Sequence, residues 1–401
     1  MTTKPTAAVV GAGIAGLASS IALRRAGWSV VVLEKSQFRS EVGAAISIPP
    51  NATRVLSRWR FDFDKCGAVP NVASRFYHAA TGETVMYEEY EDIEETMGFQ
   101  SWSLHRVDLH RGLKGIATLE DGGLGEKVDG ADVWSGQSRL IEDFTGKPSE
   151  VRPMGRSIYR WLVSMDDVLA DPDLRPIYDG KLPGFKSWRD PVKEILWVSY
   201  TCRGGKVLNN AVVHPTQAGE GDDDLWHSHA SRDQVFAMLE NFHPAVPMRI
   251  VNLASEDGIK VHHLFKRPAL TSFVNGRAVV IGDAAHVMMP THAAGAAIAI
   301  ESTAALEVLM AGVEAGDHTT LAKQLALFDK LRIPRCNFTM LASNAGPAWL
   351  AVPGVEQEIR RFYHGPLPPA GAMPWGHQFR EALFNHDAYK AAEEALAESV
   401  A

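Results

Sequence analysis

The chain has 401 residues and a formal charge of −8, with 46% hydrophobic and 22% charged residues. That length can bury a sizeable core, and the composition excludes a disordered, collagen-like or coiled-coil architecture. The acidic balance argues against a nucleic-acid partner, whose phosphates need a basic footprint.

Taken in chain order, Ala7-Ala8-Val9-Val10 predicts a short buried strand. Gly11 to Ala26 follows with apolar residues near helical spacing, and Trp28 to Leu33 predicts a second buried strand ending at Glu34. A strand, a helix and a strand within about thirty residues make a βαβ unit, a common opening of a nucleotide-binding sheet. Glu41 to Ala45 is a loop, and Ala52 to Trp59 predicts a helix with Asn51 at or near its N-cap. The acidic stretch Glu88 to Glu95 reads as a solvated face. Arg106 to Leu119 predicts a helix, whereas Glu120 to Gly136 is rich in Gly and Asp and carries little strand signal.

Between residues 154 and 275, runs such as Ile195 to Thr201 and Val207 to His214, punctuated by Pro and Gly, predict an antiparallel sheet. Val279-Val280-Ile281 predicts another buried strand, and Ala293 to Ala311 a long apolar helix. The apolar stretch to Gly312 carries Glu301 and Glu307, so it reads as a buried helix rather than a membrane span, and no stable membrane insertion is expected. A proline-containing tail from Pro347 closes in a charged, Ala-rich helix. No leader is expected, because the first apolar run enters a glycine turn. Cys66, Cys202 and Cys336 fit neither a disulfide framework nor a zinc spacing and point to a reducing, cytoplasmic setting.

The chemistry is carried first by Gly11-Ala12-Gly13-Ile14-Ala15-Gly16, placed between a strand and a helix. Gly11 permits the tight turn, Gly13 lets the backbone approach a pyrophosphate, and Gly16 lets helix pack on strand. The helix N-terminus then favours the phosphate charge. Glu34, 18 residues after Gly16, is placed to accept hydrogen bonds from a ribose diol. The second motif is Val279-Val280-Ile281-Gly282-Asp283, with Pro290 and then Gly295 opening the long helix.

Together these residues resemble the class A FAD-dependent aromatic monooxygenases, in their fungal salicylate-hydroxylase-like (phenol hydroxylase) subgroup. Further segments carry the likeness: Glu41-Val42-Gly43-Ala44-Ala45-Ile46, Leu104-His105-Arg106-Val107-Asp108-Leu109 and Ala297-Ile298-Ala299-Ile300-Glu301. The resemblance implies an α/β fold: a Rossmann-like FAD-binding domain (1–153 and 270–346), an inserted antiparallel-sheet substrate domain (154–269) and a helical C-terminal part (347–401). It implies FAD as cofactor, held by Gly11, Gly13, Gly16, Glu34, Gly43, Ala45, Arg106, Asp283, Pro290, Gly295 and Ala296. NADPH or NADH is implied as co-substrate, with a small aromatic molecule hydroxylated at the expense of O2. Arg160 would pair with a phenolate or carboxylate, and Tyr200 would help hold or deprotonate the phenol. A homodimer stays open.

The chain departs from the family pattern in three places. Gly130-Ala131-Asp132 is followed by Val133 rather than Gly, the segment between Leu113 and Gly130 is short, and Thr291-His292-Ala293-Ala294-Gly295 stands where many relatives have Gly-Gln-Gly. Two alternatives therefore accompany the hydroxylase reading. One is another flavin-dependent oxidation, an epoxidation or oxidative cyclisation. The other is a degenerate flavoprotein acting as a binding protein or non-redox catalyst. No histidine arrangement makes a metal spacing, and His286 and His292 are expected to be solvated or capping loop residues.

Overall fold

The computed structural model describes residues 4–34, 44–118, 150–218, 228–243, 245–346 and 349–400, together with 142, 144–146 and 220. Gly43 and the segment Gly130-Ala131-Asp132 lie outside the described residues.

Strands β1 (Thr6–Val10) and β2 (Ser29–Leu33) pair in parallel across the helix Ile14–Arg25, as the βαβ reading requires. They are not the fully buried strands expected. Of their residues only Val32 is buried, the rest being partly covered or exposed, and Val10 and Val31 are 46% and 39% exposed. Only one face of the pair is covered by described helices. Strands β3 (Ala45–Ile48), β4 (Val69–Pro70) and β7 (Trp102–His105) form a small antiparallel sheet beside them.

An eight-stranded sheet carries the rest. In chain order its strands are β5 (Ala73–His78), β6 (Thr84–Glu89), β8 (Arg152–Ser164), β9 (Gly184–Asp190), β10 (Ile195–Cys202), β11 (Val207–Pro215), β12 (Ser228–His229) and β13 (Lys260–Lys266). In space they run β12-β13-β8-β11-β10-β9-β5-β6. The expected antiparallel sheet is therefore present, with one correction to its boundary. β5 and β6 come from residues 73–89, assigned above to the nucleotide-binding part, yet β5 pairs in parallel with β9. That pairing satisfies the backbone groups of β9 with a segment far away in sequence, so local pattern does not reveal it.

The strand expected at Val279-Val280-Ile281 shortens to β15 (Ala278–Val279), a hairpin partner of β14 (Val274–Asn275). The long apolar helix spans Gly295–Met310 and is buried nearly all round. It packs against the helices Ile14–Arg25, Pro50–Arg58, His318–Ala345 and Ala388–Val400, which is why its sequence lacks a polar face. Its two carboxylates are each answered. Glu301 receives Arg332 at 2.9 Å and Arg335 at 2.8 Å. Glu307 receives Arg25 at 2.9 Å, and the Trp59 indole and Tyr389 hydroxyl at 2.7 Å each. Asn51 lies near the N-cap, which is Pro49; it does not cap the helix but is buried, with its amide donating to Glu301 at 2.5 Å. Within the acidic stretch, the half-buried Glu88 pairs with the buried Arg380 at 2.8 Å. No described helix is long and apolar enough to cross a membrane.

Candidate active site

At the nucleotide end, Gly11 has φ +98°, a value that disfavours any side chain. A Cβ on Gly16 would stand 1.8 Å from the Gly11 carbonyl oxygen, so this helix–turn contact requires glycine. Gly13 has no atom within 4 Å of where a Cβ would be, leaving open space above its backbone. Glu34 reaches back from the end of β2 to accept the Ala12 N–H at 2.6 Å, placing its carboxylate at the rim of the loop. The buried His110 bonds the Ala12 carbonyl at 2.7 Å and ties the turn to the helix Arg106–Thr118.

The Gly282-Asp283 turn closes on the same end of the molecule. Gly282 has φ +70°, and a Cβ there would meet the Ala15 Cβ at 2.8 Å. Two motifs at opposite ends of the chain are thus packed in contact, with Asp283 exposed beside the glycine loop. Pro290 is exposed and opens a short 3-10 turn, and Gly295 and Ala296 follow, half-buried, at the start of the long helix. An open cradle above Gly13, a carboxylate at its rim and a second carboxylate beside it fit a dinucleotide cofactor of the FAD type.

The second half of the site is one face of the large sheet. Residues directly opposite in a ladder share a face. Arg160 is opposite Ala211, and Tyr200 is opposite Asn209. Asn209 and Ala211 lie on the same face, so Arg160 and Tyr200 do too. Two loops close on that face. The Ala45 amide donates to Asn209 Oδ1 at 3.0 Å, and its carbonyl accepts the Tyr200 hydroxyl at 2.9 Å. Met289 packs with Ile158, Val213, Leu196 and Ala211. Arg106 N–H donates to the Ala44 carbonyl at 3.0 Å, while its own side chain is exposed. The face where Arg160 stands is therefore bounded by the neighbours of Gly43 on one side and of Pro290 on the other.

Electrostatics set what these groups can do. Arg160 Nε is buried without a hydrogen-bond partner, and no carboxylate among the described residues acts on the guanidinium; its titratable neighbours are Tyr200 and Arg106. Burial lowers the Arg160 pKa from its ordinary value, with Tyr200 acting in the opposite direction. Burial pushes the Tyr200 phenol well above the usual tyrosine range, and Arg160 only partly offsets this. Tyr200 is thus a hydroxyl donor at neutral pH. A depression of ≈ 260 Å3 lined by Tyr77, Ile177, Trp188 and His243 lies on the opposite face of the sheet, away from this constellation.

Comparison with known proteins gives the family. An FAD binding domain pattern matches residues 236–323, and an NAD(P)-binding Rossmann-like domain pattern matches residues 9–55. An FAD-dependent monooxygenase of Aspergillus candidus is 30% identical over 374 residues, covering 84% of both chains. The chain belongs to the FAD-dependent monooxygenase family. Hispidin-3-hydroxylase of Neonothopanus nambi is likewise 30% identical, over 84% of this monooxygenase and 86% of its own length. A salicylate hydroxylase solved as a substrate complex shares the fold with a TM-score of 0.74 over 98% of each chain, at 20% identity. The enzyme is an oxidoreductase with an FAD-binding Rossmann-like fold and a nicotinamide nucleotide as co-substrate.

Several residues of the monooxygenase site differ from sequence expectation or escaped it. His286 and His292 are not solvated; both are buried, and burial lowers their pKa values to about 4 and about 3. His292 stacks on Phe379 at 4.3 Å and bonds Ser343 Oγ through Nδ1 at 3.1 Å, so it serves packing as a neutral ring. Asn209 was missed, although an Asn-Asn pair inside an apolar strand is a signal that something must satisfy it. Arg203 was missed as well. At φ +53° it donates to Asp108 at 2.7 Å and to His105 Nδ1 at 3.2 Å, fastening the end of β10 to the segment that carries Arg106. Nothing in local pattern marks it.

Proposed function

We propose that this monooxygenase hydroxylates a phenolic or other aromatic small molecule that carries an anionic group. The observation that carries the reading is Arg160: a half-buried side chain whose Nε is buried without a hydrogen-bond partner and which meets no carboxylate among the described residues, on the sheet face where both cofactor-side loops close. A buried charge is costly unless a ligand completes it. A phenolate or carboxylate does so with charge-assisted, geometrically defined hydrogen bonds. The named relatives support the aromatic class, since hispidin-3-hydroxylase and salicylate hydroxylase are called after aromatic substrates.

FAD, when bound, supplies the redox chemistry, with NADPH or NADH as reductant. Gly11, Gly13 and Gly16 would seat its pyrophosphate, Glu34 its ribose, and Asp283 the chain between phosphate and ring. Arg106, Pro290, Gly295, Ala296 and Ala45, with Gly43, would line the remainder. Arg160 orients the substrate and favours its ionised form. Tyr200 acts as a positioning residue: its hydroxyl holds the Ala45 carbonyl and so fixes the loop against the substrate face. Met289, Leu196 and Val213 supply an apolar margin that excludes water from the reacting atoms. In this reading the FAD part comprises 1–153 and 270–346 without the 73–89 hairpin, and the substrate part is 154–269 with that hairpin, followed by the helical part 347–401. Three free thiols, Cys66, Cys202 and Cys336, support a cytoplasmic setting.

The test is a flavin spectrum of the purified protein, then NAD(P)H oxidation with phenolic acids and neutral phenols, each with product analysis. Retained FAD with hydroxylated phenolic acids supports the reading. Retained FAD with only epoxidised or cyclised products replaces it, and a folded protein that retains no FAD after reconstitution refutes it.

A further inference from the structure

A second charged recess lies on the opposite face of the large sheet. Lys186 on β9 alternates with Phe185, which packs against Tyr200, so Lys186 points away from the site described above. Its side chain is only 8% exposed. The ammonium stands 5.2 Å from the Tyr178 ring centroid, and no described residue gives it a hydrogen bond or an ion pair. Parallel pairing puts Arg75 of β5 directly beside it, and Lys181 is the other charged neighbour. Lys186 and Arg75 thus stand side by side on this face, the Arg75 guanidinium over the Tyr87 ring at 3.9 Å and the exposed Lys181 nearby, and among the described residues no carboxylate acts on Lys186, although Asp173 lines the adjoining depression. The Tyr178 phenol is occupied with Ser199 Oγ at 2.9 Å. The ≈ 260 Å3 depression adjoins the recess: Ile177, which lines it, precedes Tyr178, and Tyr77 and Trp188 lie two residues beyond Arg75 and Lys186 on their strands.

We propose that Lys186, with Arg75 and Lys181, forms a binding site for a phosphoryl-class dianion, either inorganic phosphate or the phosphate head of a small organic ester. A largely buried lysine stem whose ammonium has no protein partner gains from an anion that completes it, and a second cation on the neighbouring strand favours a doubly charged oxyanion over a single carboxylate. The organic body of an ester would enter the Tyr77–Trp188 depression. Burial, with Arg75 and Lys181 in addition, lowers the Lys186 amine to about 8, so anion affinity falls as pH rises through that value.

The experiment is calorimetric titration of the flavin-loaded protein with inorganic phosphate, phenyl phosphate, acetate and sulfate, sulfate being a dianion that does not titrate in the range used. Lys186→Met and Arg75→Gln are measured beside the wild type, with flavin content and circular dichroism as folding controls. Phosphate and sulfate are expected to bind, acetate far more weakly, and sulfate affinity to fall from pH 7 to pH 9. In Lys186→Met the affinity drops about tenfold or more, as expected for losing a charge-assisted hydrogen bond. Tighter binding of phenyl phosphate than of phosphate assigns the site to an ester, and equal binding assigns it to the free ion. No binding to the folded wild type, or equal binding in Lys186→Met, overturns the proposal. If Lys186→Met fails to fold, Arg75→Gln and the pH dependence of sulfate binding decide in the same way.

Discussion

Arg160 and Tyr200 share a sheet face but not a role. Removing the Arg160 charge while keeping a polar side chain, as in Arg160→Gln, should raise KM for a phenolic acid about 10-fold to 100-fold, the scale of one or two charge-assisted hydrogen bonds. The retained flavin should be unchanged. Steady-state kinetics with an acid and its neutral analogue check this, and an equal loss for both would deny Arg160 the anion. Tyr200→Phe removes the hydroxyl held by Ala45 and should weaken FAD retention by about 0.5–1.5 kcal/mol. Because burial holds the phenol protonated, the pH dependence of turnover should keep its shape. A missing ionisation in the variant would instead make Tyr200 the base. Ala293 sits at φ +51° in the loop before the long helix. A left-handed L-residue costs about 1–2 kcal/mol, partly offset by the greater unfolded-state freedom of glycine. Ala293→Gly should therefore raise the melting temperature slightly, and a clear fall would show that the methyl group packs.

The long helix Gly295–Met310 presents the main problem at the scale of elements, because a nearly all-buried helix carries two carboxylates. Glu301 is satisfied by two guanidinium groups of the helix His318–Ala345 and by Asn51, so three helices are locked at one point. Burial alone would raise the Glu301 pKa, but Arg335 and Arg332 reverse this and hold the carboxyl well below its usual range. A depressed carboxyl stabilises the fold above its unfolded pKa of about 4.3 and loses that contribution as pH falls below it. Glu301→Gln leaves two buried cations uncompensated and should cost about 3–5 kcal/mol, read as a lower urea midpoint at unchanged m. Both helix and carboxylates were legible in the sequence. The partners were not, because Arg332, Arg335 and Asn51 come from distant segments whose approach depends on packing.

Across the whole molecule, two buried imidazoles and the half-buried His386 make the fold sensitive to mild acid. Burial lowers His286 and His386 to about 4 and His292 to about 3. Unfolded, these rings bind protons near pH 6.5, so the unfolded state gains protons that the folded state refuses. Stability should fall steadily from about pH 6.5 towards pH 4, before the carboxylates titrate. Melting temperatures over pH 8 to 4 check this, and a flat profile from pH 7 to 5 would mean that these rings are protonated without unfolding.

The sequence by itself determined the chemistry that depends on neighbours along the chain. The Gly11–Gly16 turn, Glu34 after the second strand, and Gly282-Asp283 before a short helix are backbone requirements written into contiguous residues, and local sterics suffice to read them. Tertiary structure alone decided that the two glycine turns touch through Ala15 and Gly282, that the 73–89 hairpin extends the eight-stranded sheet, and that the Tyr200 hydroxyl is held by Ala45. It also decided which charges find partners, since Glu301 meets two arginines whereas Arg160 and Lys186 meet no carboxylate among the described residues. Each of these depends on segments far apart in sequence whose approach is set by packing and ladder pairing, and no local periodicity records it.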